Sequence, residues 1–148
     1  INAHYLKKLN EEEIFELVYP YLEKTYGKLD KAWATHLIKI YQNHLSSGSE
    51  IVELTKLFFE EVENKEVVNE SVTTEFFNQI KELKNWDVES INQLIKDVGI
   101  KLEVKGKELY MPIRVAVSGL MHGPELPDTI YLLGKDKVIK RLEKVLKN

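Results

Sequence analysis

Apolar residues recur at helical spacing along most of the chain, and polar punctuation marks where each run begins and ends. Asn10 followed by Glu11, Glu12 and Glu13 reads as an N-cap with acidic residues in the first turn, where they complement the helix dipole. Ile14, Leu17, Val18, Tyr21 and Leu22 then form one face; Pro20 is expected to kink this helix and Gly27 to end it. Asp30 opens a second helix with Trp33, Leu37, Ile40 and Tyr41 as its buried stripe, broken by Ser46-Ser47-Gly48. Ser49 is expected to cap a third, with Ile51, Leu54, Leu57 and Phe58 inward.

Residues 61–70 have no clear period and read as a linker or an edge between subdomains. Beyond them, Phe76, Phe77, Ile80 and Leu83 give a further helix. Asp87 caps another that carries Val88, Ile91, Leu94 and Ile95 and is expected to close at Gly99. The stretch from Ile100 to Tyr110 alternates around Gly106 like an extended connector. Pro112 suits the first turn of a helix holding Ile113, Val115, Ala116 and Val117, and Gly119, Gly123, Pro124 and Pro127 mark a turn-rich loop. Two last helices follow, around Ile130–Leu133 and Lys135–Leu146. The predicted class is all-α, in two helical subdomains at 1–62 and 63–148.

Composition narrows the choices. The chain has 148 residues, 43% of them hydrophobic, enough for one compact domain or two small ones. There is no cysteine, which removes disulfides and zinc–thiolate sites. No apolar run is long enough to span a membrane and the start lacks a signal-peptide layout, so a soluble cytoplasmic protein is expected. The net charge of −3 argues against holding nucleic acid by bulk electrostatics. That average hides an asymmetry: residues 1–98 carry a net −7, whereas residues 99–148 carry +4. The last third alone is suited to phosphate, although a solvated basic face accounts for it equally well.

Chemistry is mostly missing. There is no phosphate loop, glycine triad or HExxH pair, and His4, His36, His44 and His122 are too scattered to suggest a metal site. No catalytic residue, metal or cofactor is assigned. Only two of the 21 basic residues are arginines, Arg114 and Arg141. A guanidinium supplies a planar fork and a stacking face that lysine lacks, so each invites a reason. Arg141 is expected at the surface or in an ion pair on a charged terminal helix. Arg114 lies on an otherwise apolar helix just before the glycine-rich loop, which fits a buried ion pair and a binding role equally.

Residues 105–146 carry spaced motifs: Lys105-Gly106-Lys107, Met111 to Arg114, Gly119, His122 to Leu126, and Leu132 to Lys135 before a basic last helix. This segment resembles the closing part of bacterial glutamyl-tRNA synthetases. The start, with Asn2 before His4-Tyr5, is similar to the stretch that follows the last motif of the synthetase core. Residues 41–59 are similar to the low-GC Gram-positive form of the family, so the likeness covers essentially the whole chain.

That resemblance implies a helical anticodon-binding region of a class I synthetase, whose catalytic domain carries HIGH- and KMSKS-type motifs. Neither motif occurs here, so the chain alone is not expected to activate glutamate; ATP and magnesium would bind in the catalytic domain. The implied partner is glutamate tRNA, with no DNA, no membrane and a monomeric state. The resemblance puts Arg114 on the first anticodon base, Gly123, Pro124 and Leu126 as backbone groups and an apolar edge beside the neighbouring bases, and Met111 on the same face. Lys105 and Lys107 would reach phosphates. Many members have an arginine near the position of His44, where it discriminates the third base; histidine leaves open a non-discriminating enzyme that also charges glutamine tRNA. The competing reading is a helical protein–protein docking module.

Overall fold

A computed structural model of the chain describes residues 3–63 and 67–147. It is all-α, with no strand among the described residues. The backbone divides into two compact units, 1–60 and 61–148. Residues 64–66 of the linker stretch lie outside the described residues.

The first unit holds α1 (Ala3–Lys7), α2 (Glu11–Tyr26), α3 (Lys31–Tyr41), a 3-10 turn at Gln42–His44, α4 (Glu50–Leu54) and α5 (Lys56–Phe59). Asn10 and Glu13 satisfy each other's backbone N–H at 2.9 and 3.0 Å, a complete capping box at the start of α2. The helix runs on through Pro20 without a break and ends at Gly27, the stop that the pattern predicts. In α3 the stripe is rotated from the predicted one. Ala34, Leu37, Ile38 and Tyr41 are buried, while Trp33 and Ile40 are half-buried. The aromatic cluster explains the rotation, because Trp33 makes edge contacts with Phe58 and Phe59 at the margin of the core.

The third predicted helix is two short ones. Thr55 interrupts it at φ −105°, its hydroxyl donating to the Ile51 carbonyl at 2.6 Å. Ser49 makes no capping bond at the start of α4. The Glu50 carboxylate instead reaches back to accept from the backbone N–H groups of Ser47, at 2.8 Å, and of Ser46. Those two bonds, Ser47 first, hold the Glu50 carboxyl below its ordinary range. A depressed folded-state value stabilises the fold above the unfolded value of about 4.3, and the contribution is lost as pH falls through the depressed value. Glu50→Gln should therefore lower the melting temperature of the first unit at neutral pH, with the difference vanishing in acid. An unchanged difference across that range would rule out the carboxylate as the cause.

The second unit holds α6 (Glu70–Ile80), α7 (Val88–Leu102), α8 (Lys107–Ser118), α9 (Leu126–Leu133) and α10 (Lys135–Leu146). Asn69 and Asp87 cap α6 and α7 through their side chains. Helix α6 packs on α7, α8 and α10, and α9 on α7 and α10, around Phe76, Ile80, Ile91, Ile95, Ile113, Ile130, Val138 and Leu142. The connection from α6 to α7 is tied down by Trp86, whose indole N–H donates to the Tyr131 carbonyl at 3.1 Å, and by Lys135, which donates to the Leu83 carbonyl at 2.7 Å.

Three expectations fail in this unit. Gly99 does not close α7, which continues to Leu102 and turns at Glu103 with φ 57°. Gly99 is there for close approach: a Cβ would lie 2.7 Å from the Val104 carbonyl oxygen and 2.8 Å from Leu109 Cδ2. The extended connector shrinks to 103–106, because both its flanks are helical. Pro112 lies in the sixth position of α8, not its first turn, buried in a helix that begins at Lys107.

Candidate nucleic-acid interface

Helix α8 organises the candidate residues. Lys107, Met111, Arg114 and Ser118 are spaced by four, three and four, which stacks them along one helical face. From Lys107 to Arg114 is about 10 Å along the axis at 1.5 Å per residue. Lys105 and Lys107 are exposed on either side of Gly106, at the N-terminal end of α8, where the helix dipole adds to their positive charge. Met111 and Arg114 are half-buried further along.

The other end of α8 is fixed by several hydrogen bonds. Gly119 takes the left-handed cap conformation, φ 75°, and its N–H donates to the Val115 carbonyl at 2.8 Å. The Ser118 hydroxyl donates to the Arg114 carbonyl at 2.7 Å and accepts from the Leu120 N–H at 3.1 Å. Arg141 reaches in from α10 and donates Nη1 to the Val117 carbonyl at 2.7 Å. Arg141 is thus neither a surface residue nor merely one end of an ion pair: it is 8% exposed and caps the α8 terminus from inside. Burial pushes its pKa down, and the Glu61 carboxylate acts against that. Lys137 on the same helix is also pushed down, by burial first and by Arg141 second.

Arg114 closes the loop over residues 119–125. Its Nη2 donates to the Pro124 carbonyl at 2.7 Å, and Nη1 lies where a Cβ on residue 123 would come within 2.8 Å. The far side is held by Thr129, whose N–H and hydroxyl both meet the Glu125 carbonyl, at 3.1 and 3.0 Å. The structure therefore brings together Arg114, Gly123 and Pro124, with Met111 one turn away on the Arg114 face.

Two predicted contributions differ. The Leu126 side chain is 2% exposed and the Pro124 ring is buried, so neither presents an apolar edge. The exposed apolar side chains of this loop are instead Leu120 and Met121, which sequence reasoning passed over. Their signal was two large apolar residues in a row inside a glycine-rich turn. His44 belongs to the first unit, is exposed, and meets Tyr41 edge-on with ring centroids 5.9 Å apart. No cluster of metal-ligating side chains occurs among the described residues, and no helix there is long and apolar enough to cross a membrane.

Comparison with known proteins gives these features a frame. The sequence model of one family, described as an anticodon binding domain, matches residues 13–146. Among the solved structures that share the fold are two glutamate-specific enzymes. One is a glutamate tRNA ligase from Elizabethkingia meningosepticum CCUG26117 in complex with its amino acid, 20% identical over 99% of this chain with a TM-score of 0.86. The other is the glutamate-tRNA synthetase from Elizabethkingia anophelis, 20% identical over 99% of this chain with a TM-score of 0.80. The chain spans 31% and 30% of the length of those two proteins.

Proposed function

The chain belongs to the anticodon binding domain family, and from that premise we propose that it is the part of a glutamate–tRNA ligase that reads the anticodon loop. The parent enzyme attaches glutamate to its tRNA using ATP, with ATP and magnesium held in its catalytic domain. The observation that carries the reading is the clamp at the end of α8, where Arg114 is held beside the backbone of Gly123 and Pro124. Sequence in RNA is read on unstacked single-stranded bases, because side chains cannot enter the A-form major groove. A guanidinium fixed against a short loop offers forked donors at a set position, and Lys105, just before α8, and Lys107, in its first turn, supply charge for phosphates.

The protein-docking alternative calls for a broad exposed apolar patch. Among the described residues the large exposed hydrophobics are Tyr5, Tyr21, Val68, Ile100, Leu120 and Met121, and only the last two are adjacent in sequence. That distribution supports the RNA reading. Titration of the 148-residue chain with the anticodon stem-loop of a glutamate tRNA, followed by NMR, should give saturable shifts centred on residues 105–126. A folded protein that shows no shift at millimolar RNA would return the domain to the docking reading.

The exposed His44 in the first unit supports a non-discriminating enzyme, because an imidazole offers fewer forked donors than the arginine many members carry nearby. The full-length ligase should then charge glutamate and glutamine tRNAs comparably. Strong rejection of the glutamine tRNA would end that proposal. We place the parent enzyme in the cytoplasm as a monomer.

A further inference from the structure

We propose that Leu120 and Met121 form an apolar wedge that packs against one unstacked base of the RNA loop, beside the Arg114 guanidinium. The inference rests on the anticodon reading and adds the residues that hold a base once it has left the stack. Leu120 is 49% exposed and Met121 56% exposed, two large apolar side chains in succession in the loop between α8 and α9. The loop does not simply leave them loose. The backbone leading into the pair is held by the Gly119 N–H on Val115, by the Ser118 hydroxyl on the Leu120 N–H, and by Arg141 on the Val117 carbonyl. On the far side Arg114 grips the Pro124 carbonyl. A pair held out in water by bonds on both sides is displayed to something.

Size and charge name the occupant. Two side chains cover too little area to dock a folded protein, whose apolar contact patches run to several hundred Å². They match the face of a single base. Leucine and methionine serve as wedges between bases in other nucleic-acid complexes, and a thioether packs favourably on an aromatic ring. The Arg114 cation, held at Gly123 and Pro124 of the same loop, suits a phosphate-bearing strand and does not suit an apolar protein face. Arg114 then reads the edge of the displaced base while Leu120 and Met121 support its face.

The test is a fluorescence-anisotropy titration of the labelled glutamate anticodon stem-loop against the wild-type chain and a Leu120→Ser, Met121→Gln double variant, at low and moderate salt. The pair carries no charge, so the variant should bind on the order of ten-fold more weakly at both salts with an unchanged salt slope. Because both side chains are exposed, its melting temperature should match wild type; if it does not, the single variants Leu120→Gln and Met121→Gln replace it. Equal affinity of the folded variant and wild type overturns the wedge and leaves the anticodon reading standing. A flattened salt slope overturns it too, by tracing the loss to phosphate contacts. A variant that keeps its RNA affinity but loses self-association in sedimentation assigns the pair to a second copy of the chain. No binding by wild type removes the anticodon reading and the wedge with it.

Discussion

Arg141→Ala is expected to destabilise the second unit by about 2–4 kcal/mol, the sum of a lost charge-assisted hydrogen bond and a cavity. The guanidinium is buried and its Nη1 satisfies the Val117 carbonyl, one of the last four carbonyls of α8, which have no partner inside the helix. Alanine would leave that carbonyl unpaired in the interior. Against this stands the cost of burying a cation, visible as the downward push on the Arg141 pKa. Arg141→Met separates the two effects. Methionine keeps most of the volume and removes the charge, so it should cost nearly as much as alanine if the hydrogen bond dominates, and clearly less if the cavity does. If Arg141→Met is as stable as wild type, desolvation dominates and the bond is no net support. Each unit contains one tryptophan, Trp33 and Trp86, so urea unfolding in a Trp33→Phe background reports the second unit alone. The same substitution frees the end of α8, so RNA binding should weaken in proportion to the loosening of residues 119–125.

Arg141 also marks where sequence reasoning stopped. Its helix is charged on most sides, and nothing in the local pattern distinguishes an arginine aimed at solvent from one aimed at the terminus of a helix 24 residues earlier. Local signals were legible. Asn10, Asp30, Asn69 and Asp87 each cap a helix through the side chain, and the pattern identified three of these four. Tertiary demands were not legible. A glycine read as a stop proved to be a close-approach site, because the two meanings of glycine differ only in what lies opposite, here Val104 and Leu109. Likewise the alternation from Ile100 to Tyr110 mimicked a strand because two helix ends abut there, each contributing half of the pattern.

The candidate site divides the same way. The one arginine before a glycine–proline loop was conspicuous in a lysine-rich chain, and the structure sets its guanidinium against that loop. Which apolar residues of the loop face water could not be read, since Leu120, Met121 and Leu126 are chemically alike, yet Leu126 opens α9 and is buried while Leu120 and Met121 follow the α8 cap and stay exposed.

Arg114→Ala should weaken binding of the anticodon stem-loop about 100-fold, within the 1–3 kcal/mol that a forked contact to one base contributes and the further loss from an unclamped loop. Arg114→Lys separates charge from geometry. It keeps the cation, so the salt dependence should stay close to wild type while most of the affinity is still lost. Gly123→Ala probes the same point from the other side. The added Cβ would fall 2.8 Å from Arg114 Nη1, the far end of a flexible side chain, so the fold should yield with a stability change within about 0.5 kcal/mol. The guanidinium must then move off its station beside residues 123–124, and binding should fall about ten-fold. If Gly123→Ala binds as wild type does while Arg114→Ala does not, the arginine acts as a diffuse positive charge. In that case the Pro124 clamp serves the loop's own stability, and base discrimination has to come from another residue of the domain.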